Sequence, residues 1–512
     1  MAILPQTATV AVIGCGAMGM GIAQVAAAAG HRVLLVDARA DAPAKARDGI
    51  AASLTRLVEK GRMKEADRTE IVDRLHPVDS MIELAPASLV IEAVVEDLAV
   101  KRSLFAEVEE ITSPDAILAS NTSSLSITAI AATLQRPDRF VGMHFFNPAP
   151  LMALVEVVSG LATDPEVAET IYDTALAWGK NPVHTRSTPG FIVNRVARPF
   201  YAEGLRVLQE GATNPATIDA LMRESGTFRM GPFELMDLIG HDVNFAVTRS
   251  VHQAYFGDPR FQPSLIQQEL VDAGRLGRKT GQGFYRYAPK PEIVEPATLP
   301  IGPRPARVTV QGEPGPLHSL VQSLRAAGID VDAPDLQAPG SGGSAQFLVD
   351  GCTLALTDGR SATQRAAETG TRNLVLVDLA LNYDTASRIG IAVADGAAED
   401  CLARAAGLFQ ALGKKVSVVD DVPGLIVMRT VAMLVNEAAD AALQGVAAAA
   451  DIDTAMTKGV NYPLGPLAWA DRIGVGRVLG VLDALAKVYG EDRYRASALL
   501  RRKSWGGALF HG

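Results

Sequence analysis

Thr9-Val10-Ala11-Val12-Ile13, running straight into Gly14-Cys15-Gly16-Ala17-Met18-Gly19, decides the fold: a short β-branched run, glycines at G-x-G-x-x-G spacing, then a helical pattern. Each glycine has a task in that context. Gly14 allows the tight turn, Gly16 lets a pyrophosphate approach the backbone, and Gly19 lets helix and strand pack closely. Ala17 and Met18 open a helix whose N-terminal amides and dipole favour phosphate. Asp37 closes the next strand-like run, where a carboxylate can bond the adenosine ribose hydroxyls, so the loop points to NAD rather than NADP. Arg39 is the one neighbour that could offset repulsion of a 2′-phosphate.

Outward from this loop, residues 8 to 160 alternate short β-branched runs with longer helical patterns, as a parallel α/β sheet does. The runs are Thr9 to Ile13, Arg32 to Asp37, Leu89 to Ala93, Ala116 to Ala119 and Phe140 to His144. From Pro189 to about Tyr287 the texture is all-helical. A Pro-rich stretch follows that suits neither helix nor central strand. Strand-like runs resume at Ala306 to Val310, Gln346 to Val349 and Asn373 to Leu379, and a helical region follows Pro423. The expected fold is an α/β Rossmann-type NAD-binding domain plus an all-α C-terminal domain, followed by a degenerate second α/β unit and a second all-α domain. The expected limits are 1–187, 188–287, a linker at 288–305, 306–420 and 421–512.

The second half is read as a duplicate. Pro189-Gly190 recurs as Pro423-Gly424, and the offset from 189 to 423, 234 residues, also links Ile218-Asp219 with Ile452-Asp453, Gly231-Pro232 with Gly465-Pro466 and Asp237 with Asp471. The copies differ at chemistry-bearing positions. Asn194 falls on Met428, and Val308-Thr309-Val310-Gln311-Gly312 keeps no intact glycine-rich loop.

At 512 residues, 48% hydrophobic and 21% charged, the chain exceeds one core. Its formal charge of −9 and lack of any Lys/Arg-rich run argue against nucleic acid as a partner. No apolar run reaches membrane-spanning length, and the N-terminus shows no secretory signal pattern. Cys15, Cys352 and Cys401 are scattered thiols without metal-ligand spacing, which suits a reducing cytoplasm and gives no metal site.

Hydride transfer from a secondary alcohol needs a base at the hydroxyl, and His is the usual choice at neutral pH. His144 ends the strand-like run from Phe140, where doubly wound sheets place their ligands. Glu156 sits among Leu154, Val155, Val157 and Val158 on what reads as a buried strand, where an ionised carboxylate is costly unless paired. A His–Glu pair would satisfy it and fix the imidazole tautomer. Asn194, within the apolar Ile192 to Val196 stretch, reads as a buried amide in need of a partner.

GCGAMG, NTSSLSIT, HFFNPAPLMALVEVV, TPGFIVNR, MGPFELMDLIG and GRKTGQGFY, in this order, make the N-terminal half resemble L-3-hydroxyacyl-CoA dehydrogenases. The resemblance implies NAD-dependent oxidation of a (3S)-3-hydroxyacyl-CoA to the 3-oxoacyl-CoA. It implies His144 as base, Glu156 as its orienter, and Ser123 and Asn194 as groups contacting the substrate's 3-oxygen and thioester end. It also implies Glu96, Lys101, Ser123, Asn147 and Lys279 near the nicotinamide nucleotide, and Ser53 and Lys60 near CoA. By residue chemistry alone Lys60, Glu96 and Lys101 read as ordinary solvated helix charges. Arg278 stands where the family often has a second lysine.

RVARPFYAEGLRVLQEG, LIGHDVNFAV and GVNYPLGPLAWADRIG are similar to the two-copy bacterial members, notably the 3-hydroxyadipyl-CoA dehydrogenases of phenylacetate catabolism. Met428, and Ala392 about where a His would fall, then imply a second copy without catalysis. In shorter members two subunits supply the paired helical domains, so homo-oligomerisation stays open. Other readings are a 3-hydroxybutyryl-CoA or general β-oxidation dehydrogenase, and a non-catalytic NAD-binding structural or sensor protein. Arg195, Arg198 and Arg229 are candidates to meet a terminal carboxylate.

Overall fold

The computed structural model describes residues 3–292, 294–333 and 344–512; Ile293 of the Pro-rich stretch and residues 334–343 of the second α/β unit lie outside the described residues. The chain forms two compact units, the first comprising Met1–Arg195 and Gln444–Val460. Its sheet holds β1 (Thr9–Ile13), β2 (Val33–Val36), β3 (Leu75–Pro77), β4 (Ala87–Glu92), β5 (Ile117–Ser120), β6 (Phe140–Phe145), β7 (Leu154–Ser159) and β8 (Asn181–Arg186). The spatial order is β3-β2-β1-β4-β5-β6-β7-β8, parallel throughout except between β6 and β7. The central strands β1, β2, β4 and β6 are nearly continuous apolar runs because both faces are covered. Val10, Val12 and Leu35 pack with Ile22 of the helix Ala17–Ala28 on one face. Ala11, Ile13 and Val36 pack with Phe105 of the helix Leu98–Ile111 on the other. Strand order reverses between β1 and β4, which opens a crevice at their carboxyl ends, beside Gly14.

A distant segment completes this unit. The helix Ala449–Gly459 lies against β7 and β8, and the Arg186 amide donates to the Val446 carbonyl at 2.8 Å. Gly459 is so close to β7 that a Cβ there would come within 2.5 Å of Leu154 Cδ2. By sequence this helix belongs to the second helical region, and nothing in its local periodicity announces where it docks.

The second unit is Val196–Leu443 with Asn461–Gly512. Its sheet holds β9 (Arg307–Gln311), β10 (Asp330–Asp332), β11 (Gln346–Val349), β12 (Cys352–Leu356), β13 (Leu374–Val377), β14 (Arg388–Val393) and β15 (Lys415–Val418), in the order β10-β9-β11-β12-β13-β14-β15. The first sheet joins parallel β4 and β5 through a helix, whereas here β11 and β12 form an antiparallel hairpin turning on Asp350 and Gly351, both at positive φ. β11 is also antiparallel to β9. Reversing that strand removes the crevice between carboxyl ends that a dinucleotide needs, the physical basis of this copy's degeneracy.

The helix Val427–Leu443, buried on nearly every side, is the centre of the helical part. Helices Arg198–Gln209, Pro466–Ile473, Val475–Tyr489 and Ala498–Trp505 pack on it. The Pro-rich segment has no helix or strand among its described residues. It is nonetheless held in place: the Leu299 amide donates to the Val416 carbonyl at 2.8 Å and the Gly302 amide to Gln410 Oε1 at 2.7 Å.

Candidate active site

The loop after β1 is shaped for an anion. Gly14 has φ +96°, and a Cβ there would meet the Ala93 carbonyl oxygen at 2.6 Å, so only glycine fits. A Cβ on Gly19 would run into the Gly14 carbonyl, so this glycine serves close packing. Gly16 is different: a Cβ would meet nothing within 4 Å. Its lack of a side chain serves no contact within the protein and instead leaves the N-terminus of the helix Ala17–Ala28 open. Asp37 Oδ2 accepts the Cys15 amide at 2.7 Å and Oδ1 the Arg39 amide at 3.0 Å. Partial burial raises the Asp37 carboxyl, but the Arg39 side chain and these amides outweigh it, so the group stays ionised. The Arg39 side chain is thus occupied by Asp37 itself.

His144 and Glu156 face each other across the one antiparallel pair of this sheet. The sheet register alone makes them direct neighbours. His144 Nδ1 lies 2.6 Å from Glu156 Oε2, and Glu156 Oε1 accepts the amides of Ile192 and Val193, both at 3.0 Å. Both side chains are buried. A carboxylate only accepts, so the neutral imidazole carries its proton on Nδ1 and its lone pair on Nε2. Phe146 and Phe191 flank the ring, with centroids 4.5 and 5.8 Å away. The two amides point at the carboxylate because Gly190 and Phe191 both sit at positive φ, +77° and +46°. For a Phe this costs about 1 kcal/mol or more.

A second buried carboxylate, Glu92 at the end of β4, was not among the sequence candidates. The signal that singled out Glu156, a charge closing an apolar strand, applies equally to Leu89-Val90-Ile91-Glu92. Its oxygens take Lys101 Nζ at 2.5 Å, Ser120 Oγ at 2.6 Å and the Val94 amide at 2.6 Å. Lys101, which by helix chemistry reads as a surface residue, is therefore only 1% exposed, and it also pairs with Glu96 at 3.3 Å. Glu96 Oε1 gathers the Thr122 hydroxyl (2.6 Å) and the amides of Ser123 (3.0 Å) and Ser124 (3.1 Å). Burial raises the Glu96 carboxyl, while Thr122 and the Lys101 ammonium pull it below its ordinary range.

Asn194 is half-buried, which corrects the expectation of a buried amide: its side chain can meet solvent or a ligand, and its Nδ2 donates to the Ser123 carbonyl at 3.5 Å. Ser123 and Asn194 are thereby brought together within the first unit. Asn147 is exposed at the end of the β6 strand region, Ser53 is half-exposed on the helix Ala42–Glu59, and Lys60 is exposed at its C-terminus. Lys279 belongs to the second unit, where it pairs with Asp242 at 2.5 Å. Among the described residues no His/Cys/Asp/Glu group could hold a metal ion, and no helix is long and apolar enough to cross a membrane.

The offset of 234 residues extends into the site and corrects one correspondence. Ala392 pairs with Leu376 and matches Val158, whereas the position of His144 is taken by Asp378 and that of Glu156 by Gly390. Asp378 donates its amide to the Gly390 carbonyl, continuing the antiparallel register. Its Oδ2 accepts the amides of Ile426 (3.1 Å) and Val427 (2.8 Å), the counterparts of Ile192 and Val193. The strained pair recurs too, as Gly424 at φ +75° and Leu425 at φ +57°. Both copies therefore keep a buried carboxylate on a helix N-terminus, and the anchor is structural. Only the first copy adds an imidazole to it.

A dinucleotide crevice at a strand-order reversal, with a carboxylate-oriented imidazole on the same sheet, defines an NAD-dependent dehydrogenase. The chain belongs to the 3-hydroxyacyl-CoA dehydrogenase family. Residues 9–188 match the family's NAD binding domain, and 190–287 and 424–509 both match its C-terminal domain. Residues 354–423 match the 3-hydroxybutyryl-CoA dehydrogenase reduced Rossmann-fold domain. The chain is 46% identical to the 3-hydroxyadipyl-CoA dehydrogenase of Escherichia coli K12, over 97% of each protein. Human mitochondrial hydroxyacyl-coenzyme A dehydrogenase is 42% identical over 54% of this chain and 90% of its own. The crystal structure of a 3-hydroxybutyryl-CoA dehydrogenase from E. coli K12 superposes with TM-score 0.87 at 44% identity, covering 98% of both chains.

Proposed function

We propose that the protein oxidises (3S)-3-hydroxyacyl-CoA to 3-oxoacyl-CoA, with 3-hydroxyadipyl-CoA, an intermediate of phenylacetate degradation, as its substrate. The observation that carries the reaction is the His144–Glu156 pair with Nε2 left to accept a proton. His144 removes the 3-hydroxyl proton, and Glu156 holds the ring in the required tautomer and stabilises the imidazolium that forms. Bound NAD supplies the hydride acceptor. Gly14, Gly16, Ala17, Met18 and Gly19 would hold its pyrophosphate and Asp37 its adenosine ribose; Glu96, Lys101, Ser123, Asn147 and Lys279 would border the nicotinamide nucleotide. Ser123 and Asn194 would orient the substrate's 3-oxygen and thioester end, and Ser53 and Lys60 would contact CoA.

The adipyl assignment rests on likeness to the E. coli enzyme of that name over nearly the whole chain. The E. coli crystal structure named for 3-hydroxybutyryl-CoA favours a second reading, a short unsubstituted acyl chain. NADH formation with 3-hydroxyadipyl-CoA, 3-hydroxybutyryl-CoA and the matching free acids tests both. Higher kcat/KM for the adipyl thioester supports the first reading, preference for the butyryl thioester the second, and silence with both thioesters rejects the reaction. Three buried, unpaired thiols support a cytoplasmic enzyme.

A further inference from the structure

The second unit contains a cavity of about 470 Å³ between the helix Arg198–Gln209 and the segment Arg260 to Gln267, with five arginines in its wall. Four of these have carboxylates: Arg206 pairs with Glu203, Arg260 with Glu437 and Asp440, Arg429 with Glu203 and Glu210, and Arg493 with Glu491. Arg198 has none among the described residues. It is 6% exposed, and among the described residues its side chain donates from Nη1 to Thr248 Oγ1 at 3.2 Å, with the Tyr201 ring 4.9 Å from the guanidinium carbon. Its Nε is buried without a partner, as is the Ser264 hydroxyl in the same wall. Arg229, by contrast, is exposed, and Arg195 bonds Gln444 Oε1.

A guanidinium cannot shed its charge near neutral pH, and a buried ion without a counter-charge is destabilising. With Nη1 on Thr248, the Nε–Nη2 edge remains, the edge that receives a carboxylate side-on through two parallel bonds. Arg198 is the arginine of this wall with no carboxylate of its own among the described residues, and its planar guanidinium suits a single carboxylate group. The exposed Leu265 in the wall offers methylene contact.

We propose that this cavity is a binding site for the carboxylate end of a short aliphatic chain, with Arg198 as the group that receives it. The carboxylate belongs to a free dicarboxylate. The test uses the full-length protein with adipate, with neutral adipamide as control, and with Arg198→Met, which keeps much of the volume and removes the charge. Adipate should raise the melting temperature of the wild type in a concentration-dependent way, adipamide should not, and Arg198→Met should lose the shift. The melting arm needs no turnover, so it is independent of the reaction proposed above. If Arg198→Met does not fold, Arg198→Lys carries the same test, with adipate binding weakened at least tenfold by loss of the fork. A wild type indifferent to adipate, or an Arg198→Met variant that keeps the full shift, overturns the proposal.

Discussion

Replacing Glu156 by Gln changes one atom and separates the two duties of this carboxylate. Oε1 is fixed by the Ile192 and Val193 amides, which can only donate, so the carboxamide oxygen of Gln stays with them. The NH2 must then turn towards His144, where the carboxylate oxygen stood 2.6 Å from Nδ1. An NH2 does not accept, so the ring is driven to carry its proton on Nε2, and the lone pair that takes the substrate proton is lost. A tautomer held the wrong way costs about 10³- to 10⁴-fold in kcat, or about 4 to 5.5 kcal/mol of barrier. Folding should suffer far less, by about 1 to 3 kcal/mol, because the helix amides keep an acceptor. NADH affinity should stay within about threefold, as no loop residue near Gly16 is touched. Initial rates from NADH absorbance, NADH titration by fluorescence and thermal unfolding give the three quantities. A variant retaining more than a tenth of wild-type kcat would refute the tautomer argument, and so would a loss of rate explained by loss of NADH affinity.

The carboxylate that accepts the corresponding helix amides in the second copy, at the position of His144, should behave oppositely: Asp378→Asn, which weakens the acceptor for the Ile426 and Val427 amides, should lower stability by about 1 to 3 kcal/mol while kcat stays within twofold. Denaturant unfolding and steady-state rates decide it, and a large kcat loss in a folded variant would show that the second copy takes part in chemistry. Gly16→Ala meets no protein atom, so its melting temperature should be unchanged while NADH affinity falls about tenfold or more; unchanged affinity would mean the pyrophosphate does not pass there. The Cys15 thiol is pushed up to about 12 by burial and then by the Asp37 charge, so it stays protonated from pH 7 to well above pH 9. Alkylation at pH 8 should leave it unmodified for hours in the native protein, and rapid labelling would contradict this.

The sequence made the first sheet legible where function and periodicity coincide. β1 has the expected limits, and Glu156 betrays its strand because a carboxylate among valines demands a partner. β8 was not foreseen, since Asn181 to Arg186 reads as a polar stretch, and the helix Ala449–Gly459 packs on β7 and β8 through contacts that only the fold supplies. Lys101 misled for a related reason: its partner Glu92 lies on a different element, and spacing along one helix carries no trace of it. The 234-residue repeat was visible in the helical segments, yet its extension to Asp378 and Gly390 became clear only from strand register and from the amides these copies share.

In the proposed reaction one imidazole per chain, His144, takes the substrate proton. This is tested most directly by single-turnover NADH formation in wild type and His144→Ala with 3-hydroxyadipyl-CoA and 3-hydroxybutyryl-CoA, alongside NADH titration. The expected result is wild-type turnover and a loss in the variant of about 10²- to 10⁴-fold with NADH affinity retained. A variant within tenfold of wild type, or one whose deficit follows from lost NADH binding, would contradict it.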